Sequence, residues 1–232
     1  MITNPNAVTV LCYGDSNTNG QRADTVEEVR WPADVRWTGQ LQELLGDGYY
    51  VIEEGLGGRT TDLDYPDEAG CNGRTYLLPC LRTHYPLDVV LVMLGTNDVK
   101  PQFARSSAEI VAALGSLVDD IEACATNRRG GPTEIVLVAP VPLDRQQPKF
   151  TEFYQTSFDA ASEGKSRQLA GQLAELAKAR DVLFADAGTV ARVGIDGVHL
   201  SLDSHRQIAE LAAGKIAEAL GRSNGTELAS AS

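Results

Sequence analysis

A hydroxyl, a carboxylate and an imidazole stand at Ser16, Asp196 and His199. A serine hydroxyl is a weak nucleophile at neutral pH and needs a base to take its proton. The neutral imidazole of His199 can take that proton and hand it to a leaving group. Asp196 lies three residues before His199, so one turn of chain can bring its carboxylate to the other ring nitrogen. A carboxylate there holds the tautomer and favours the imidazolium as it forms. Acyl transfer also needs donors aimed at an oxyanion, each typically worth ~3 kcal/mol. The Ser16 amide, the Gly58 amide and the Asn97 side-chain amide are the candidates, and a glycine at 58 lets the backbone approach a ligand closely. Asp15 is a supporting residue that braces the turn by accepting from nearby amides, and Asp98 reads the same way. Taken singly, Gly14-Asp15-Ser16 is an ordinary turn and Asn97 an ordinary cap of Gly95-Thr96. Of the other histidines, His84 reads as a packed structural residue and His205 as facing solvent or an interface.

What gathers such distant residues is a pattern of strands. Ala7 to Tyr13 is a short, continuously apolar run that stops at Gly14-Asp15-Ser16, the signature of a strand buried on both faces of a parallel sheet. Tyr49 to Glu53 is a second strand and runs into Gly55-Leu56-Gly57-Gly58-Arg59-Thr60-Thr61. Asp88 to Leu94 is a third and ends in Gly95-Thr96-Asn97-Asp98. Glu134 to Ala139 and Asp181 to Ala185 are the fourth and fifth, and Asp196-Gly197-Val198-His199 follows the last of them. Helical periodicity fills the intervals. One helix has Asp34 as its N-cap and carries Trp37, Leu41, Leu44 and Leu45; another opens with a capping-box pair, Ser106 and Glu109. A third spans about Phe158 to Arg180, and the last runs from about Asp203 to near Gly221. Alternating strands and helices make a parallel sheet covered on both sides, so motifs at strand ends of one polarity meet along one edge. A serine, an asparagine, an aspartate and a histidine on one edge form the constellation a hydrolase needs.

The 232 residues are 43% hydrophobic and 22% charged, which suits one domain with a sizeable core. A formal charge of −12 repels phosphate backbones, so nucleic acid is not expected as a partner. The N-terminal segment lacks a basic, signal-like start and no apolar stretch is long enough for a membrane span, so cytoplasmic localisation without membrane partners is expected. Cys12 falls in a strand and Cys124 in a helix, where buried free thiols are common. Cys71 and Cys80 flank a loop and their pairing stays open; no cysteines have CxxC metal spacing. Ser223 to Ser232 has the composition of a loose tail after a domain of residues 1–222.

GDSN, GLGG, GTND and DGVH, in this order over nearly the whole chain, resemble the four blocks of the SGNH (GDSL-type) hydrolases. The stretches at 34–41, 51–61, 87–98 and 196–199 are most similar to the bacterial arylesterase, acyltransferase and perhydrolase branch. The resemblance implies a flavodoxin-like three-layer α/β/α sandwich with a five-stranded parallel sheet. It implies Ser16 as nucleophile, His199 as base, Asp196 as its orienting partner, and Ser16, Gly58 and Asn97 as oxyanion donors. It further implies a cofactor-free, metal-free homo-oligomer acting on a small ester, with water or an alcohol accepting the acyl group. Two departures stand out. Asn17-Thr18-Asn19-Gly20-Gln21 is polar where relatives often carry aromatic or aliphatic residues, which ranks hydrolysis above transfer or perhydrolysis. Gly57-Gly58 replaces side chains often present there, leaving more room or mobility at the oxyanion site.

The expected activity is therefore serine-dependent hydrolysis of short acyl esters, with carbohydrate O-acetyl ester hydrolysis as the near alternative. The stretch 143–156, with Phe150, Phe153 and Tyr154, together with 62–86, Trp31, Trp37, Tyr65 and Tyr76, could form an interface or a substrate lid. A different class would be a metal-dependent phosphoesterase using Asp15, Asn97, Asp196 and His199, but the chain shows no further carboxylate or histidine cluster with metal spacing. A non-enzymatic flavodoxin-like binding domain is disfavoured because no GxGxxG follows a strand.

Overall fold

The structure, a computed structural model, describes residues 3–27 and 29–230. Five strands, β1 (Val8–Gly14), β2 (Tyr49–Gly55), β3 (Val89–Met93), β4 (Glu134–Ala139) and β5 (Leu183–Asp186), form one sheet in the order β2-β1-β3-β4-β5. Every pairing is parallel, with Val10 opposite Val51 on one side and Val89 on the other. Parallel strands buried on both faces need apolar residues of both parities, and β1 supplies them. Leu11 and Tyr13 face one hydrophobic cluster with Leu77, Leu81, Leu114, Leu117 and Leu173. Val10 and Cys12 face the other, with Trp37, Leu41, Ile208, Ala212 and Ile216.

The helices complete the sandwich: α1 (Ser16–Asn19), α2 (Trp37–Leu45), α3 (Gly73–Thr83), α4 (Ser107–Cys124), α5 (Phe150–Phe153), α6 (Ala160–Ala179) and α7 (Leu202–Ser230). α3, α4 and α6 supply the first cluster, α2 and α7 the second. This is the α/β/α arrangement with a five-stranded parallel sheet that the sequence predicts. Its strand order reverses direction between β1 and β3, where such sheets leave a crevice at the carboxyl ends of the strands.

The capping box of Ser106 and Glu109 forms as expected. Asp34, by contrast, is not the cap: Arg36 is the N-cap of α2, and its own side chain makes no capping bond. The imidazole of His205 fills that role from α7, its Nδ1 accepting from the Trp37 amide at 3.2 Å. His205 is thus fully buried rather than facing solvent, and burial pushes its pKa down to about 4. Trp37 is core rather than interface. Cys124, the last residue of α4, is exposed rather than buried, and Cys71 and Cys80 are both free thiols. α7 continues to Ser230, past the expected end near Gly221; residues 231 and 232 lie outside the described residues. Among the described residues no helix is long and apolar enough to cross a membrane.

Candidate active site

The strand ends converge at the β1/β3 crevice. β1 ends at Gly14, and the chain turns at once into the single turn of α1, which starts with Ser16. Gly14 makes that tight reversal possible, since a Cβ there would lie 2.0 Å from Thr18 Oγ1. Asp15 is the N-cap of α1, and its Oδ1 accepts from the Asn17 amide at 2.9 Å, the bracing role expected for it. Its carboxyl is fully buried, which raises its pKa; the Asn17 amide and the charge His199 can carry work against that rise.

The DGVH turn reaches the same place from between β5 and α7. Asp196 is fully buried. Its Oδ1 accepts from the amides of Val198 and His199, both at 2.9 Å, and its Oδ2 accepts from His199 Nδ1 at 2.7 Å. With Nδ1 donating, Nε2 is left as the acceptor. It lies 2.9 Å from Ser16 Oγ, whose hydroxyl donates to it. The ring of Tyr154 packs edge-on against His199 at 5.6 Å.

One side chain ties the two halves together. Asn17, the residue after the serine, accepts from the Leu200 amide at 2.9 Å and donates to the Val198 carbonyl at 3.4 Å. The polar stretch 17–21 is therefore only partly groove lining. Asn19 and Gln21 face the groove, whereas Asn17 is consumed in holding the histidine turn to the serine helix. Sequence reasoning counted Asn17 only as polarity, and nothing in its spacing signals a clasp across 181 residues.

Gly58 lines the groove from the β2 side with φ +74°, a conformation in which a side chain would be strained. Next to it, Gly57 has open space around the position of a Cβ, so the room expected from this pair comes from Gly57. Neighbouring groups grip the segment. Tyr65 Oη donates to the Gly58 carbonyl at 2.9 Å, and Asn97 Nδ2 donates to the Arg59 carbonyl at 3.1 Å. An amide nitrogen carries two hydrogens, so Asn97 keeps one for the groove that it lines. Asp98 is buried and accepts from both the amide and the hydroxyl of Thr61; burial pushes its pKa up to about 6.

Arg59 was not singled out from the sequence. It is buried at 3% exposure, with its guanidinium donating to the carbonyls of Gly14, at 2.9 Å, and Glu54. It lies over the rings of Tyr13 and Tyr76 at 4.4 and 5.2 Å. The cation thereby joins the end of β1 to the Gly58 segment.

The two long connections both support the site and contribute to its walls. The stretch 62–86 contains α3, and Thr60 donates to the Cys71 carbonyl while the Gly73 amide donates to Thr60. The stretch 143–156 contains α5; Phe150 sits in the core, and the amides of Asp144 and Lys149 bond the carbonyls of Gly197 and Ile195. The groove has a volume of about 480 Å³. Asn19, Gln21, Glu68, Lys100, Tyr154 and Phe158 are among its walls, besides Ser16, His199, Gly58 and Asn97. Burial lowers the Lys100 pKa, with Glu68 opposing, and its ammonium donates to Tyr65 Oη at 3.0 Å.

The model of the GDSL-like lipase/acylhydrolase family matches residues 12–207, which takes in all four motifs. The chain belongs to that family. Ester hydrolysis is the general activity that goes with membership. The acylhydrolase is 40% identical to Est24, a carbohydrate acetylesterase from Sinorhizobium meliloti, over 91% of this chain and 99% of that one, with TM-score 0.83. It is 36% identical to the aryl esterase of M. smegmatis in an inhibitor-bound form, over 91% and 99% of the two chains, with TM-score 0.84. It is also 30% identical over 153 residues to an acetylxylan esterase of Xylanibacter ruminicola. That match takes in 59% of this chain but only 29% of the relative's length.

Among the described residues, Glu54, Cys80 and His84 form a group that could hold a metal ion. The sequence reading missed it because Glu54 joins from a different element, and His84 is half-buried against Glu54 rather than simply packed.

Proposed function

We propose that this acylhydrolase is a serine esterase for short acyl esters that works through an acyl-enzyme on Ser16. His199 takes the Ser16 proton as Oγ attacks the carbonyl and returns it to the departing alcohol. Water then attacks the acyl carbon and gives a proton to the same imidazole, which returns it to Ser16 Oγ as the acid leaves. Asp196 holds the ring with Nε2 towards the serine and favours its cation in both steps. The amides of Ser16 and Gly58 and the side chain of Asn97 donate to the oxyanion. The observation that carries this reading is the unbroken chain from Ser16 Oγ through His199 to Asp196, at 2.9 and 2.7 Å.

The Ser16→Ala variant should lose hydrolysis of p-nitrophenyl acetate while keeping the wild-type melting temperature; retention of most activity overturns the assignment. The polar groups of Asn19 and Gln21 in the groove favour water over an alcohol as acceptor. We also read the chain as a homo-oligomer, which light scattering measures directly.

A second reading, hydrolysis of O-acetyl groups on carbohydrates, is favoured by the groove itself. It combines the aromatic Tyr154 and Phe158 with hydrogen-bonding Asn19, Gln21, Glu68 and Lys100, and the Sinorhizobium relative is a carbohydrate acetylesterase. Higher kcat/KM on an acetylated oligosaccharide than on p-nitrophenyl acetate would select it; the reverse order would select simple esters.

A further inference from the structure

Glu54 is the penultimate residue of β2, and Cys80 and His84 lie four apart on α3 and its C-cap, a spacing that puts both on one face. The ligand atoms of the three all lie within 4.8 Å of one another. His84 Nε2 is 2.8 Å from Glu54 Oε1, and Tyr76 Oη donates to Glu54 Oε2 at 3.3 Å. The Cys80 thiol is fully buried, whereas the Glu54 and His84 side chains are 19% and 22% exposed and leave a way in from solvent. None of the three lines the groove beside Ser16.

Thiolate, imidazole and carboxylate are the donor set of zinc sites, which are tetrahedral with bonds of ~2.0–2.3 Å and hence donors ~3.3–3.8 Å apart. The imidazole–carboxylate pair, at 2.8 Å, must open by about half an ångström, and no pair need close by more than about one, to meet that spacing. One thiolate and one carboxylate neutralise a divalent ion, and hard ions such as magnesium would not choose a thiolate. The Tyr76 hydroxyl is placed to orient the carboxylate from outside.

We propose that Glu54, Cys80 and His84 bind a zinc-class divalent cation, with water as the fourth ligand, and so fasten α3 to β2. On binding, the Cys80 thiol proton passes to the buffer and no electron moves. Glu54 stands four residues before Gly58, and its carbonyl is one of the two that Arg59 holds. The ion would thus stiffen the base of the segment that carries Gly58 while taking no part in the ester chemistry.

The test is cobalt titration of the chelator-stripped full chain, followed by absorption. Wild type should develop a thiolate-to-cobalt band and the strong visible bands of a tetrahedral site, saturating at one equivalent and bleached by zinc. The Cys80→Ser variant should lose the thiolate band. His84→Gln, at a partly exposed position, should weaken cobalt binding at least tenfold and abolish any zinc-dependent rise in melting temperature. Cys71→Ser and Cys124→Ser should bind as wild type. Absence of the band in excess cobalt overturns the proposal. So does a band lost in Cys71→Ser or Cys124→Ser but kept in Cys80→Ser, or one unchanged in His84→Gln. None of these outcomes bears on the esterase reading, which Ser16→Ala tests separately.

Discussion

Replacing Arg59 by methionine tests whether a buried cation braces the oxyanion segment. The guanidinium makes two bonds to main-chain carbonyls and lies over two tyrosine rings, and among the described residues no carboxylate pairs with it. Hydrogen bonds from charged groups are each worth roughly 1.5–3 kcal/mol, and a desolvated cation over a ring up to roughly 2. Methionine keeps the apolar contact with Tyr13 and Tyr76 but leaves the carbonyls of Gly14 and Glu54 without this donor. The expected loss is about 3–5 kcal/mol, which in a chain of this size lowers the melting temperature by about 6–20 °C. The catalytic effect is separable. With Arg59 gone, the Gly57–Arg59 segment loses its tie to the end of β1, while the Asn97 bond to the carbonyl at 59 remains. Misplacing one oxyanion donor should lower kcat about 10–100-fold with little change in KM, because the donor acts chiefly in the transition state. The assays are denaturant unfolding and p-nitrophenyl acetate kinetics below the new melting temperature. A lysine at 59 keeps the charge but not the planar guanidinium whose Nη1 reaches both carbonyls and which lies over the two rings, and should fall between. An Arg59→Met variant with wild-type unfolding and kcat within about twofold would refute the bracing role.

Asp196→Asn should keep the fold but lower kcat about 10³–10⁴-fold, since the amide can stabilise the wrong imidazole tautomer; near-wild-type turnover on p-nitrophenyl acetate would remove Asp196 from the mechanism. Two buried groups should pull stability in opposite directions with pH. Asp98, raised in the folded state to about 6, contributes stability present below pH 3.8 that is lost as pH rises through about 6. His205, lowered to about 4, contributes stability present above pH 6.5 that is lost as pH falls through about 4. Each effect amounts to about 3 kcal/mol over its window, so together they nearly cancel between about pH 4 and about pH 6. Unfolding measured across that range should show Asp98→Asn gaining stability with pH relative to wild type and His205→Asn losing it; parallel curves for all three would contradict the assignment.

The sheet was legible because β3 is apolar at every position and β1 nearly so, with Thr9 its one polar side chain, a pattern that strands buried on both faces sustain. Ser16, Asp196 and His199 were legible because each sits at a strand end or a short spacing from a partner, and topology does the gathering. Contacts between elements were not legible. The cap of α2 comes from His205, far along the chain, so a local search settled on Asp34. Arg59 looks like any surface arginine until two strand ends and two tyrosines close around it. Glu54, Cys80 and His84 show a helical i, i+4 pair in the sequence, but the third member depends on how β2 and α3 pack. Tyr65 and the 143–156 stretch read as lid or interface because aromatic loop residues look alike whether they cover a groove or support its floor.

The Asn17 clasp has a consequence for how this architecture can vary. A single carboxamide behaves like a short rung of sheet, accepting from Leu200 and donating to Val198, so a contact outside the groove lining helps hold Ser16 beside His199. Walls carrying Gln21, Glu68 or Phe158 can then be remodelled for a new acyl or alcohol group while this rung stays in place, whereas Tyr154, which packs on His199, and Lys100, tied through Tyr65 to Gly58, are walls that a loop graft has to keep.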